Sequence, residues 1–257
     1  MDIGSLIGVI STMVIIIATL IIEGGSPAEL ISHPQAIMLT FLGSLMAAGV
    51  SVPFKTLLST PKLFMLSLQS NHFETNQVID TLIEMAGKAR RDGLLALEEE
   101  TKEVSDEFLK KGLMLVVDGV DPSQVRTILH TEIEQMKERH AFGAGLINGA
   151  GGFAPTFGII GTVMGLIHVL GQLDDPSSLG HSIAAAFMAT LWGLISANVF
   201  FLPIGGKLVT KTEEEVAYRE LLIEGILGIQ AGENPRMLRE KLNAYLPPKD
   251  RQDEDES

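Results

Sequence analysis

The cations of this chain are confined to two stretches. All 19 lysines and arginines fall within residues 55–139, which hold eleven, and residues 207–251, which hold eight. Residues 1–54 and 140–206 contain none, and between them only five acids: Asp2, Glu23, Glu29, Asp174 and Asp175. Inside the cation-free windows run four uncharged segments, over residues 3–22, about 36–54, 141–173 and 182–206. A membrane helix needs roughly 20 largely apolar residues, each rising about 1.5 Å. The four segments therefore predict four transmembrane helices.

Cation asymmetry also predicts orientation. The short connections at 23–33 and 174–181 carry no Lys or Arg, so the positive-inside rule puts the long loop, the tail and both termini in the cytoplasm. The first segment does not read as a cleaved signal: no cation precedes it, and no small-residue cleavage site comes before Glu23. Glu23-Gly24-Gly25-Ser26-Pro27 reads as a turn.

The intervening loop has helical periodicity. Asp121-Pro122 reads as an N-cap with proline at the first helical position, followed by Val125, Ile128, Leu129, Ile133 and Met136. Leu63, Phe64, Phe73, Val78, Ile79, Leu82 and Ile83 suggest an apolar face that ends at an Arg91-Asp92-Gly93 break. Thr212 and Glu215 have capping-box spacing, and Asn234-Pro235 suggests a further short helix. From Pro247 the acidic end reads as disordered. No segment alternates as a strand would. The expected fold is all-α, an integral membrane protein with four transmembrane helices and a helical cytoplasmic domain inserted between helices two and three. Its parts are expected at residues 1–54 (helices one and two), 55–140 (cytoplasmic), 141–206 (helices three and four) and 207–257 (cytoplasmic tail).

Composition excludes several chemistries. A net charge of −13 argues against nucleic acid as a partner, since binding it requires clustered cations. The absence of cysteine excludes disulfides and thiolate zinc sites. No metalloprotease, nucleophile-elbow or phosphate-loop motif appears, and no enzymatic activity is expected. The GxGxxA match from Gly149 to Ala154, with Asp174 twenty residues on, lacks the preceding strand of a dinucleotide fold.

The interiors of the four spans contain no Asp, Glu, Lys or Arg. Ion pumps and proton relays usually place an ionisable group there, so a partner helix would have to bring the carboxylate; the alternative is a plain membrane anchor. Small residues recur instead: Ala185, Ala189, Gly193 and Ala197 on helix four, and Gly158, Gly161 and Gly165 on helix three. Such stripes suit close helix approach, either between chains or within one. Thr162 and Thr190 lie fourteen residues either side of Pro176, so an antiparallel hairpin would put both hydroxyls at one depth, roughly 15–20 Å below the outer surface. Pro155 and Asn198 would share a deeper level. Each threonine alone would more ordinarily bond its own helix. His168 and His181, near the outer end, are either pH-sensitive groups or interfacial filler.

Four motifs now resemble those of flagellar motor stator A subunits, the MotA/PomA family. They are the DIGSLIGVI start, ARRDGLLALEEE at 89–100, APTFGIIGTVMGLI at 154–167, and AAAFMATLWGLISANVFFLPI at 184–204. The resemblance covers nearly the whole chain. It implies an ion-conducting stator subunit, in a ring of five around two B subunits whose transmembrane helices carry the ion-binding aspartate. Inward ion flow would turn the ring, and the cytoplasmic loops would push on the rotor protein FliG. It further implies rotor contact by Arg90 and Glu98, conformational coupling through Pro155 and Pro203, and an ion path lined by Thr190 and Thr162, with Asn198 at the deeper level. The location would be the bacterial inner membrane, with lipid as surroundings and no bound cofactor. The coupling ion is read as sodium, because matched hydroxyls supply oxygens to replace its water; the proton is the alternative. An ExbB/TolQ-type energiser and a self-contained channel or transporter are the competing readings.

Overall fold

The computed structural model describes residues 2–70, 73–171 and 176–251, and every regular element among them is helical. In chain order the helices are α1 (Ile3–Ile22), α2 (Pro27–Ile31), α3 (Pro34–Met38), α4 (Ser44–Gly49), α5 (Phe54–Leu58), α6 (Thr60–Leu68), α7 (Thr75–Asp92), α8 (Glu98–Glu103), α9 (Glu107–Val117), α10 (Pro122–Leu170), α11 (Pro176–Ile195), α12 (Leu202–Gln230) and α13 (Pro235–Asn243). Two π-helical turns, Leu39–Gly43 and Ser196–Phe201, join α3 to α4 and α11 to α12 without interruption.

The helix ends follow from local chemistry. Asp2 caps α1 by accepting from the Ser5 amide at 3.2 Å, and α1 closes at Glu23 before Gly24, whose φ is +87°. Ser26 and Glu29 form a reciprocal capping box on α2. Gly93, also at φ +87°, ends α7, as the Arg91-Asp92-Gly93 break suggests. Asp121 accepts from the Ser123 amide at 2.9 Å to start α10, and Asn234 does the same for Arg236 at 3.0 Å to start α13.

Among the described residues three helices are long and apolar enough to cross a membrane: Ile3–Ile22, Pro122–Leu170 and Ser182–Gln230. The remaining apolar segment, Pro34–Gly49, is shorter than the uncharged run around it. Proline at 53 is the reason. Its ring disfavours helical geometry at the preceding residue and it has no N–H to donate, so the helix stops and α5 begins anew at Phe54.

The chain divides into two compact units. The first comprises residues 2–70 and 139–211, the second residues 73–138 and 212–251, within the described range. The core of the second is a conventional aliphatic one, built from Ile79, Leu82, Leu113, Leu129, Leu222 and Ile226 among others. The first has two smaller clusters, one around Leu146, Ile147 and Phe201, the other around Trp192, Ile195 and Val199.

Local expectations fail at three points. Ile128 is 37% exposed, whereas Val125, Leu129, Ile133 and Met136 are buried, because the buried stripe on this part of α10 is narrow. Leu63 and Phe64 do not share a face with Ile79 and Leu82; they pack in the first unit. No helix begins at Thr212, since α12 runs through it and backbone carbonyls one turn back already serve the local amides. Residues 172–175, which precede α11, and 252–257, in the acidic end, lie outside the described residues, as does the side chain of His181.

Candidate functional site

The site is built from backbone outward, starting with glycine. A Cβ on Gly158 would sit 2.9 Å from the Ala189 carbonyl oxygen and 3.1 Å from the Thr190 Cα; one on Gly193 would sit 2.8 Å from the Ala154 carbonyl oxygen. The obstacles are backbone atoms, which cannot rotate away. At Gly161 and Gly165 the nearest obstacles are instead the Cβ atoms of Ala189 and Ala186, each 2.6 Å away, which are equally unable to rotate aside. The small-residue stripes thus interlock within one chain, holding α10 against α11 at a separation that side chains would forbid.

That approach brings two hydroxyls together. Thr162 and Thr190 are hydrogen-bonded to each other, and Thr162 Oγ1 also lies 3.0 Å from the Ala186 carbonyl and 3.1 Å from that of Gly158. Each hydroxyl has one proton and two lone pairs. Thr190 donating to Thr162, and Thr162 donating to a carbonyl, satisfies both donors and leaves oxygen lone pairs over. Both side chains are half-buried. The cross-helix bond and the own-helix bond therefore coexist at Thr162.

Asn198 stands apart from this pair. It is exposed, donates through Nδ2 to the Leu194 carbonyl at 2.9 Å, and lines a groove of about 480 Å³ with Ser5, Thr12, Pro203 and Lys207. Pro155 is half-buried within α10 and has no N–H for the carbonyl of Gly151, one turn earlier. Pro203 is exposed and is the second residue after the π-helical turn Ser196–Phe201. A widened turn there spares the proline ring a clash with the carbonyl four residues back.

Arg90 and Glu98 are exposed and flank a compact bend of Gly93 and a single 3-10 turn, Leu94–Leu97. Leu97 is fully buried and anchors the bend, while Leu95 stands 74% exposed between the two charges. Glu98 lies 3.7 Å from Lys102, which pairs more closely with Glu99 at 2.7 Å. The Glu99 hydrogen bond and charge push the Lys102 ammonium above its ordinary value, and Lys102 correspondingly holds the Glu99 carboxyl down. His168 is exposed at the end of α10.

Several polar residues of the first unit escape a reading of the sequence. Thr40, Ser44 and Ser196 are completely buried. Ser196 donates to Thr40 Oγ1 at 3.3 Å, and Thr40 donates to the Ala36 carbonyl at 2.9 Å, which ties the two π-helical turns together. Trp192 donates from its indole to the Leu30 carbonyl at 2.7 Å. Lys211, 8% exposed, donates to the carbonyls of Leu66 and Gln69 at the end of α6. Lys207 pairs with Asp2, and its hydrogen bond, followed by that from the Ser5 amide, holds the Asp2 carboxyl down at about 2. The advance signal for the buried hydroxyls is that Thr40 and Ser44, four apart, fall on one side of a helix whose other polar side chain, Gln35, lies in its first turn.

Among the described residues no group of three or more His, Cys, Asp or Glu is placed to hold a metal. The glycine-rich run from Gly149 to Ala154 lies in the middle of α10, with no strand before it.

Known proteins with this arrangement are readily found. Residues 100–221 match the model of the MotA/TolQ/ExbB proton channel family. Motility protein A of Bacillus subtilis is 40% identical over 98% of this chain and 93% of its own length. A solved structure described as C. jejuni MotAB superposes with a TM-score of 0.93 at 32% identity, covering 99% of this chain and 100% of that one. The flagellar MotAB stator complex from Bacillus subtilis gives 0.88 at 38% identity, covering 96% of each chain. On identity, coverage and fold together, this chain belongs to the motility protein A group of the MotA/TolQ/ExbB proton channel family.

Proposed function

We propose that the chain is the ion-conducting A subunit of a flagellar stator. In this reading it crosses the inner membrane four times, with both termini and the 55–140 and 207–257 segments in the cytoplasm, and it has no enzymatic activity. It assembles, as a ring of five, around a B subunit whose helix supplies the aspartate absent from these spans. The family's likeness to MotAB stator structures supports the partner, and the cation partition supports the orientation.

The observation that carries the ion-path reading is the Thr162–Thr190 hydroxyl pair. It is formed where α10 and α11 approach closely enough for backbone contact, and its oxygens retain lone pairs. A proton needs one titratable carboxylate; sodium must also replace its water with several oxygens, and two threonines help to do so. Sodium is accordingly the coupling ion we favour. Asn198, on a separate groove, would act at the inner end of the path, and the π-helical turn beside Pro203, with the helix hydrogen bond that Pro155 cannot donate, would let the helices flex during each step. Arg90 and Glu98, exposed and rigidly spaced by the buried Leu97, would transmit force to the rotor protein FliG through steerable charge contacts.

Swimming speed against external sodium, at fixed pH and membrane potential, is the direct test. Speed should fall as sodium is removed, and Thr162→Ala should weaken that dependence. Undiminished swimming without sodium would replace sodium by the proton. Co-purification tests the class: a single-span partner should accompany the chain, whereas ion transport by the chain alone would point to a self-contained channel.

A further inference from the structure

The segment after the second apolar helix has an outward face with no protein partner among the described residues. Phe54, Leu58 and Met65, on α5 and α6, are 71%, 66% and 63% exposed. The opposite face of the same segment is occupied, since Leu57, Leu63 and Phe64 pack on the core that contains Phe201 and Ile204. Exposed apolar side chains also line the helical segment before it, where Met38, Leu42, Met46 and Val50 are all exposed. Lys55 and Lys62, seven apart and both exposed, flank it. Between Glu29 and Glu74 the sequence has no acid, so these lysines are its only charges, in a chain whose net charge is −13.

We propose that α5 and α6 lie in the headgroup layer of the cytoplasmic leaflet and bind anionic phospholipid. Phe54, Leu58 and Met65 enter the acyl boundary, and Lys55 and Lys62 contact lipid phosphates. Four features suit this occupant above a protein: the face is continuous with apolar surface that meets acyl chains, it is amphipathic, its only charges are cations, and acids are lacking on either side. A long lysine can keep its stem along the apolar face while its ammonium reaches the phosphates. The inference rests on the membrane reading above, but not on the identity of the coupling ion or the rotor.

The absence of cysteine permits single-site labelling of the full chain in vesicles of equal parts phosphatidylcholine and phosphatidylglycerol. A fluorophore is placed at Met65→Cys or, as a reference, at Ile15→Cys in α1. Quenching is compared for a nitroxide carried high on the acyl chain of one lipid or of the other. The Ile15 label should be quenched equally by both. The Met65 label should be quenched about threefold more by the phosphatidylglycerol probe, within the roughly fivefold that one surface lysine commands. The preference should fall toward unity in Lys55→Gln/Lys62→Gln, persist in Lys55→Arg/Lys62→Arg, and shrink in unaltered protein as salt is raised. Equal quenching by the two lipids at Met65, or none there while Ile15 is quenched, overturns the proposal alone. Absence of quenching at Ile15 overturns the membrane reading and the proposal with it.

Discussion

The two units of this chain are stabilised by opposite means from the same helical element. In the second unit large aliphatic side chains are buried, and charged side chains are paired on the outside: Arg126 with Glu224, Lys241 with Glu224, Arg239 with Asp80, Lys111 with Glu132. In the first, many large aliphatics face outward, with Ile7, Val14, Ile15, Met164 and Ile167 all exposed, and beside its two small apolar clusters glycine, alanine and hydroxyls make the contacts between α10 and α11. Water drives the first kind of packing by expelling apolar surface. Lipid offers no such drive between helices, so close backbone contact and hydrogen bonding replace it.

Truncation in the aliphatic core is the sharpest way to test that contrast. Leu113→Ala in the second unit should cost about 2–5 kcal/mol, as burial without a compensating collapse predicts. Ile15→Ala, on the outer face of α1, should cost almost nothing in the membrane. Unit-resolved hydrogen exchange of the full chain would read both; equal losses would break the comparison.

Adding a methyl group should reverse the ranking. Gly193→Ala places its Cβ 2.8 Å from the Ala154 carbonyl oxygen, and overpacking of this kind costs about 1–3 kcal/mol. Faster exchange should appear in α10 and α11 around the Thr162–Thr190 pair. An unchanged exchange pattern would mean that the helices have room to part, which the glycines deny.

Hydrogen bonding supplies a smaller effect. Thr40→Val removes the acceptor of the buried Ser196 hydroxyl while preserving shape, and should cost about 0.6 kcal/mol, the average for such bonds between membrane helices. Thermal unfolding of the reconstituted chain measures it. A much larger loss would assign the two π-helical turns a greater share of stability than packing does.

The smallest effect belongs to the charged surface. Burial raises the Glu224 carboxyl, but the hydrogen bond and charge of Lys241, then those of Arg126, outweigh it and hold the group below its ordinary 4.5. Its contribution is therefore complete above pH 4.5 and declines as pH falls further, because the unfolded state binds the proton more tightly than the folded one. Both cations are substantially exposed, so Glu224→Gln should cost only about 0.5 kcal/mol, less at high salt. Stability that rose on acidification through this range would contradict the pairing.

Much of the architecture was legible beforehand. Helical class, the caps at Asp121 and Asn234, the breaks at Gly24 and Gly93, and the antiparallel matching of Thr162 with Thr190 all follow from spacing and turn chemistry. These are local or nearly local properties. The failures share a cause. The apolar pattern around Leu63, Phe64, Ile79 and Leu82 tells that these residues are buried without telling where, and the structure divides them between two cores. Thr212 and Glu215 have the spacing of a cap, but spacing cannot reveal that a helix already passes through them.

The sequence by itself determined the helical class, the apolar segments, the cation asymmetry and the family motifs, because these depend on composition and on periods of a few residues. Tertiary structure decided the rest. It chose which glycines must remain glycine, by bringing the Ala154 and Ala189 carbonyls against Gly193 and Gly158. It put Asn198 on an exposed groove with Ser5, Thr12 and Lys207 and buried Lys211 against the end of α6. Each of these depends on distances between residues far apart in the chain, set by how two surfaces interlock, and no local pattern encodes such a distance.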